Sequence, residues 1–305
     1  MRYAVTGAAG FVGSHLASAL AEDGHGVVGV DCFTDYYDPA LKEENARGLD
    51  VLRLDLARDE LDFAGYDGVF HLAGQPGVRS FGDVFEHYLT RNVLATQRVL
   101  EAAARDGVRV VFSSSSSVYG EAERYPTPED APLRPISPYG ITKQACERLA
   151  VAYERSFGLD VVVLRYFTVY GPRQRPDMFF ARVAKALASG GTFELYGSGE
   201  QSRSFTYVGD AVEATTAAME RAAPGTTYNV GGGEEATVND AIALLERLSG
   251  RSLDVRRTEA AAGDVRRTMA DVARIRDDLG WEPRVSLENG LAAQWEWAAA
   301  NVGAR

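Results

Sequence analysis

Apolar residues in the first half of the chain form short β-branched runs separated by stretches with helical spacing. Tyr3–Thr6, Val27–Asp31, Val51–Asp55, Gly68–Leu72, Arg109–Ser113 and Asp160–Tyr166 read as strands. Gly10–Glu22, Tyr88–Arg105 and Pro138–Phe157 read as amphipathic helices between them. This alternation predicts βαβ units, which right-handed crossovers wind into an open parallel sheet with helices on both faces. The expected class is α/β, a doubly wound parallel sheet. Ligands in such sheets sit beyond the carboxyl ends of the strands, so those ends are where chemistry is to be sought.

After Tyr166 the pattern loosens. Gly171-Pro172, Arg175-Pro176, Gly190-Gly191, Gly197-Ser198-Gly199 and Gly231-Gly232-Gly233 punctuate the rest. The expectation is a first domain over residues 1–168 and a smaller lobe over 169–305, with a segment near 205–222 returning to the first domain.

Composition narrows the function classes. The 305 residues carry a formal net charge of −11, which leaves no basic excess for nucleic acid or acidic membranes. Two cysteines, Cys32 and Cys146, form no disulfide framework and show no metal-ligand spacing, so no metal is expected. The longest apolar runs, such as Val161-Val162-Val163-Leu164, are strand-length, and no membrane span is expected. Met1-Arg2-Tyr3-Ala4-Val5 leads directly into a glycine loop and leaves no room for a secretory signal, which points to the cytosol. Only Lys42, Lys143 and Lys185 are lysines among 32 cationic residues, which makes each worth inspecting.

The loop Gly7-Ala8-Ala9-Gly10-Phe11-Val12-Gly13 follows the first strand and opens a helix. Its glycines let the backbone approach a pyrophosphate, whose charge sits at the helix N-terminus. Asp31 ends the second strand, about 20 residues on, where a carboxylate accepts ribose hydroxyls. Cys32-Phe33 follows instead of an arginine, which favours NAD over NADP. Asp55, after the third strand, is placed either to meet an adenine amino group or simply to close a strand-end turn.

Tyr139 and Lys143 are four apart in Ser137-Pro138-Tyr139-Gly140-Ile141-Thr142-Lys143, where serine then proline marks a helix start. The pair therefore shares one helix face. An ammonium beside a phenol favours the phenolate, which suits it to take a proton from a sugar hydroxyl as hydride leaves the same carbon. Ser113-Ser114-Ser115-Ser116-Ser117-Val118-Tyr119-Gly120 follows the fifth strand, a place for hydroxyls that orient a substrate or for an ordinary polar loop. No GxSxG occurs and no histidine follows His87, so a serine hydrolase is disfavoured.

Together with His71-Leu72-Ala73-Gly74, Asn92, Leu164-Arg165-Tyr166-Phe167-Thr168-Val169-Tyr170-Gly171-Pro172 and Gly199-Glu200-Gln201-Ser202-Arg203-Ser204-Phe205, these motifs resemble the extended short-chain dehydrogenase/reductase family, in its nucleotide-sugar epimerase branch. The resemblance covers essentially the whole chain. It implies a Rossmann domain holding NAD, a C-terminal lobe for a UDP-sugar, and a homodimer built on the helices Tyr88–Arg105 and Pro138–Phe157. By position, Tyr139, Lys143 and Ser115 match the catalytic residues. Gly7, Gly10, Phe11, Val12, Gly13, Asp31, Asp55, Leu56, Leu72, Ala73, Gly74, Asn92, Ser113 and Tyr166, with Tyr139 and Lys143, match the cofactor site. Tyr196 matches a residue near uracil, and Arg203 a diphosphate-binding arginine, with Arg79 a further cation for the pocket.

Dehydratases and decarboxylases of this fold carry an acid in the serine loop. Here Ser116 and Ser117 stand there, which implies an epimerase. The runs from Asp31 to Pro39 and from Phe167 to Met178 are similar to UDP-glucuronate 4-epimerases, which implies that Ser115, Ser116, Ser117, Thr168 and Arg175 hold a sugar carboxylate. Where the family often places a phosphate-binding arginine, Ala261 stands, and Arg266 is expected to substitute, with Arg267 beside it. The rival expectations are a 4-epimerase of UDP-glucose or UDP-N-acetylglucosamine, an NDP-sugar dehydratase or decarboxylase, and a non-enzymatic NAD-sensing regulator.

Overall fold

Period-2 alternation in the strands sorts the apolar side chains to two faces of one sheet. The structure, a computed structural model, describes residues 1–78, 82–233, 235–259 and 265–302, so Arg79 and Ala261 lie outside the described residues. Its first-domain strands are β1 (Arg2–Thr6), β2 (Gly26–Asp31), β3 (Val51–Arg53), β4 (Gly68–His71), β5 (Val110–Ser115) and β6 (Val161–Tyr166). The helices are α1 (Phe11–Glu22), α2 (Pro39–Asn45), α3 (Phe85–Tyr88), α4 (Ala95–Asp106) and α5 (Pro138–Phe157). Val5, Phe70, Val111 and Val162 pack on the α1 side. Ala4, Val69, Val110, Phe112 and Val161 pack on the side of α4 and α5.

Beyond β6 come β7 (Val169–Tyr170), α6 (Phe179–Ser189), β8 (Thr192–Tyr196), β9 (Ser202–Ser204), β10 (Thr206–Tyr207), α7 (Val208–Arg221) and β11 (Thr227–Val230). They are followed by β12 (Glu235–Thr237), α8 (Val238–Ser249), β13 (Asp254–Thr258), β14 (Arg267–Thr268), α9 (Ala273–Leu279) and α10 (Leu287–Val302). The large sheet runs β11-β6-β5-β4-β1-β2-β3, and every pairing in it is parallel. Thus the chain re-enters the first domain well beyond residue 168. Helix α7 covers the α1 face, β11 pairs with β6, and Ile275, Leu279 and Trp281 join the same core. The return extends past the segment at 205–222, because β11 needs the free edge of β6 and its residues Tyr228 and Val230 are buried there. The second lobe gathers α6, α8 and α10 around Phe180, Phe193, Leu195, Leu245 and Leu291.

The helix expected over Tyr88–Arg105 is not one regular helix. Between α3 and α4, Leu89–Leu94 opens into a π-helical turn. A wide turn of this kind re-aims a side chain inward, and here the residue is Asn92, which is fully buried. Helix α5 begins as expected: the Ser137 side chain accepts from Gly140 N, with Pro138 at its first turn.

Candidate active site

A cavity of about 680 Å³ runs along the carboxyl ends of β1, β2, β4, β5 and β6 and into the second lobe. At one end is the glycine turn. Gly7 has φ +73°, and a Cβ there would stand 2.8 Å from Ala73 N. A Cβ on Gly13 would lie 2.1 Å from Gly7 O, so this glycine lets α1 seat against the turn. Asp31 at the tip of β2 accepts from Ala9 N at 3.2 Å through one oxygen and from Phe33 N at 2.8 Å through the other. Each oxygen keeps acceptor capacity toward the cavity, as a ribose diol requires. Gly7, Gly10, Phe11, Val12, Gly13, Asp31, Asp55, Leu56, Leu72, Ala73, Gly74 and Ser113 all line the cavity, and this cradle fits NAD. Asp55 also closes its own turn, accepting from Ala57 N at 3.0 Å.

Asn92 is placed differently from the expectation of direct contact: it stands behind the wall and is not among the lining residues. Its Oδ1 accepts from Gln75 N at 2.6 Å, and its Nδ2 donates to Gln75 O and Thr142 Oγ1, each at 3.1 Å. It therefore fixes the Gly74–Gln75 backbone that forms the wall. His71 supports the same wall. Thr6 Oγ1 accepts from Leu72 N and Ala73 N, so its own proton is free to go to His71 Nδ1 at 2.8 Å. His71 then carries its hydrogen on Nε2 and donates to Thr96 Oγ1 at 2.9 Å. Burial, with the Lys143 charge nearby, pushes its pKa down from 6.5 to about 3.

The expected catalytic residues converge. Lys143 Nζ donates to Ser113 O at 2.7 Å and lies 5.9 Å from the Tyr139 ring centroid. Ser115 Oγ caps the turn after β5, accepting from Ser117 N at 3.2 Å, and donates to Ser117 Oγ at 3.1 Å. A Cβ on Gly140 would be 2.5 Å from Ser117 O, so the first turn of α5 rests directly on the serine loop. Tyr139, Lys143, Ser115, Ser116, Ser117, Tyr166 and Thr168 all face the cavity. Tyr166 lines it too, but its hydroxyl is paired with Thr215 Oγ1 at 2.6 Å on α7, and burial raises its pKa.

Beneath the serine loop lies a buried polar network that motif reading did not anticipate. Arg165 grips Glu147 through Nε at 2.9 Å and Nη2 at 2.8 Å. Ser114 Oγ donates to the same Glu147 at 2.5 Å. Arg165 Nη1 donates to Tyr119 Oη at 2.7 Å, which in turn donates to Asn229 Oδ1 at 2.7 Å. Thus α5, β5, β6 and β11 are tied together under the loop that presents Ser115.

At the sugar end, Arg175 donates to Asp177 in a two-pronged ion pair, at 3.0 and 3.1 Å. Burial opposes the Arg175 charge, but Asp177 outweighs it, with smaller help from Tyr36 and Tyr139, and the pKa is raised. Tyr196 and Arg203 line the far end with Phe193 and Phe205. Arg203 Nη2 donates to Val265 O at 2.7 Å. Arg266, expected to fill a phosphate-binding role, is instead exposed and outside the cavity lining. Its carbonyl and amide are used by Ser202 N and Glu121, which holds its backbone flat beside β9 and turns its side chain out. Sequence reading missed Tyr36, Tyr37, Lys42, Arg91, Asp177 and Arg182 as lining residues. The rarity of lysine was one available signal, since Lys42 is buried with Nζ on Thr34.

Among the described residues, no group of three His, Cys, Asp or Glu is placed to hold a metal, and no helix is long and apolar enough to cross a membrane. Comparison with known proteins agrees with the geometry. The chain is 41% identical to an uncharacterized UDP-glucose epimerase, YtcB, of Bacillus subtilis, covering 95% of this chain and 96% of that one. It is 34% identical to a UDP-glucuronate 4-epimerase of Thermodesulfobacterium geofontis, covering 98% and 97%. It superposes with a TM-score of 0.95 and 39% identity on the UDP-glucuronic acid 4-epimerase of Bacillus cereus solved with UDP-glucuronic acid and NAD, covering 98% and 99%. The model of the NAD dependent epimerase/dehydratase family matches residues 3–231, and the chain belongs to that family.

Proposed function

We propose that the protein is an NAD-dependent 4-epimerase of UDP-sugars acting on UDP-glucuronate, which it interconverts with UDP-galacturonate through a 4-keto sugar. The observation that carries this reading is the meeting of Tyr139, Lys143 and an acid-free serine loop with the Arg175 guanidinium in one cavity. The similarity to the Bacillus cereus enzyme supports it. Bound NAD supplies a reversible hydride acceptor for the sugar C4. Tyr139 takes the 4-hydroxyl proton and later returns it, while Lys143, anchored on Ser113 O, keeps a positive charge beside the phenol. Ser115 orients the hydroxyl. Ser116 and Ser117 offer no base near C5, so return of hydride to the opposite face is the available course. A 4-keto acid is prone to lose carbon dioxide, and Thr168, Arg175 and the serines restrain it by fixing the carboxylate. Arg203 and Tyr196 are assigned to the UDP end.

UDP-glucose is a second reading, favoured by one observation: Arg175 already has a carboxylate partner in Asp177, so a neutral sugar leaves no unpaired charge. NMR of the anomeric region during incubation with UDP-glucuronate, UDP-glucose and UDP-N-acetylglucosamine tests both readings. New axial 4-hydroxyl product from UDP-glucuronate is expected, and unchanged spectra for all three would sink the epimerase assignment.

We assign a homodimer built on α3, α4 and α5, where Phe85, Leu89, Leu94, Ile141, Val151 and Phe157 are exposed apolar residues. Sedimentation should give twice the 33.0 kDa chain mass. The free, exposed thiol of Cys32 suits a reducing compartment, and cell fractionation should place the enzyme in the cytosol.

A further inference from the structure

Arg175 stands at the sugar end of the cavity with its fork filled from within the chain. Nε donates to Asp177 Oδ1 at 3.0 Å and Nη2 to Asp177 Oδ2 at 3.1 Å. Tyr36 Oη donates to that second oxygen at 3.3 Å. Arg175 and Asp177 flank Pro176, and Met178 N closes the turn onto Arg175 O at 3.0 Å, which brings the two side chains side by side. All three residues line the cavity. The partners differ in hydration: the Asp177 side chain is 38% accessible and the Arg175 side chain 20%.

One edge of a guanidinium receives one carboxylate in this two-pronged geometry. A sugar carboxylate that uses the same edge must take the place of Asp177. The more exposed Asp177 can leave for water at smaller cost than the half-buried guanidinium can lose its anion. Resting on the reading that the substrate is an acidic UDP-sugar, we infer that Asp177 is an internal stand-in for the substrate carboxylate. It neutralises and poses Arg175, yields its seat to an acidic sugar, and keeps it beneath a neutral one. Asp177 is then a specificity determinant: it lowers affinity for the acid by competing for Arg175, and it makes a neutral sugar tolerable by keeping the arginine paired.

The test is Asp177→Asn, which keeps the side-chain shape and removes the competing charge, with Asp177→Ala as a second variant. Calorimetric Kd values are measured for UDP-glucuronate, UDP-glucose and UDP with NAD saturating. The ratio of the UDP-glucose Kd to the UDP-glucuronate Kd is expected to rise about two- to fivefold in both variants, the worth of a part-exposed ion pair. The Kd for UDP, which has no sugar, serves as the control for an intact uridine end. An unchanged ratio overturns the inference. A falling ratio overturns it too, since Asp177 would then be orienting Arg175 onto the bound acid. Turnover of UDP-glucuronate by the unaltered enzyme is followed separately. Its absence would refute the substrate assignment itself, whereas turnover with a static ratio refutes only the role of Asp177.

Discussion

His71 makes the stability of this fold depend on pH in a calculable way. It is fully buried, accepts from Thr6 and donates to Thr96, and holds its proton affinity down at about 3 against an ordinary value of 6.5. Below pH 6.5 the unfolded chain takes up a proton at this residue and the folded chain does not. Stability from this group is therefore complete above 6.5 and is lost as pH falls from there toward 3. At about 1.4 kcal/mol per unit, the loss between pH 7 and pH 5 comes to about 2 kcal/mol. His71→Gln supplies the comparison, because an amide can accept from Thr6 and donate to Thr96 yet does not titrate. Urea unfolding of both proteins at pH 7 and pH 5, with NAD saturating, gives four free energies. Any fixed cost of the substitution, and the titration of every other group, cancels in the double difference. The unaltered protein should lose about 2 kcal/mol more than the variant. Equal losses, to within about 0.5 kcal/mol, would mean that His71 takes up its proton in the fold as it does in the unfolded chain, and a smaller loss than the variant's would mean that it is already charged, both contrary to the hydrogen-bond pattern.

Three further outcomes follow from the site. Glu147→Ala leaves the Arg165 guanidinium buried with its anion gone and should cost about 3–5 kcal/mol of unfolding free energy, while Glu147→Gln should cost less; a loss under about 1 kcal/mol would show that water reaches the network. Gly13→Ala drives a Cβ onto Gly7 O and should weaken NAD binding by at least tenfold in a fluorescence titration, through displacement of the turn; unaltered affinity would show that the turn yields freely. Tyr139→Phe should lower kcat by about 10²–10⁴ with the NAD content of the purified protein retained, and a loss below tenfold would remove Tyr139 from the proton-transfer role.

Much of the site was legible because its signals are local. Ser137 and Pro138 set the start of α5 and hence the phase that puts Tyr139 and Lys143 on one face. The glycine turn and Asp31 were readable from their position at strand ends. What escaped depends on partners distant in sequence. The π-helical turn at Leu89–Leu94 serves Asn92, whose contacts to Gln75 and Thr142 lie 17 and 50 residues away. Arg165 and Glu147 look like ordinary strand and helix charges until the fold brings them together. Arg266 stands outside the cavity lining because its backbone is bonded to Ser202 N and Glu121 beside β9, partners that spacing alone does not reveal. Asp177 was visible beside Arg175 in the chain, but only the turn across Pro176 makes it a competitor.

The late return of the chain to its first sheet has a consequence in time. Strand β6 acquires its outer neighbour only with Thr227–Val230, and the face beside Tyr3 and Val5 is completed by α7 and Trp281, whose Nε1 donates to Asp210 O at 3.0 Å. A ribosome adding about 5–20 residues per second needs on the order of 15 s to a minute to deliver that tryptophan. Only the part of that interval after β6 ends at Tyr166 counts, about 6 to 23 s for the 115 residues up to Trp281, and during it the first half exposes an open strand edge and an apolar face, the two features that invite association between neighbouring chains. Arrest of translation near residue 168 should therefore yield a chaperone-bound, protease-sensitive nascent chain, and resistance to protease should appear only once synthesis has passed residue 281.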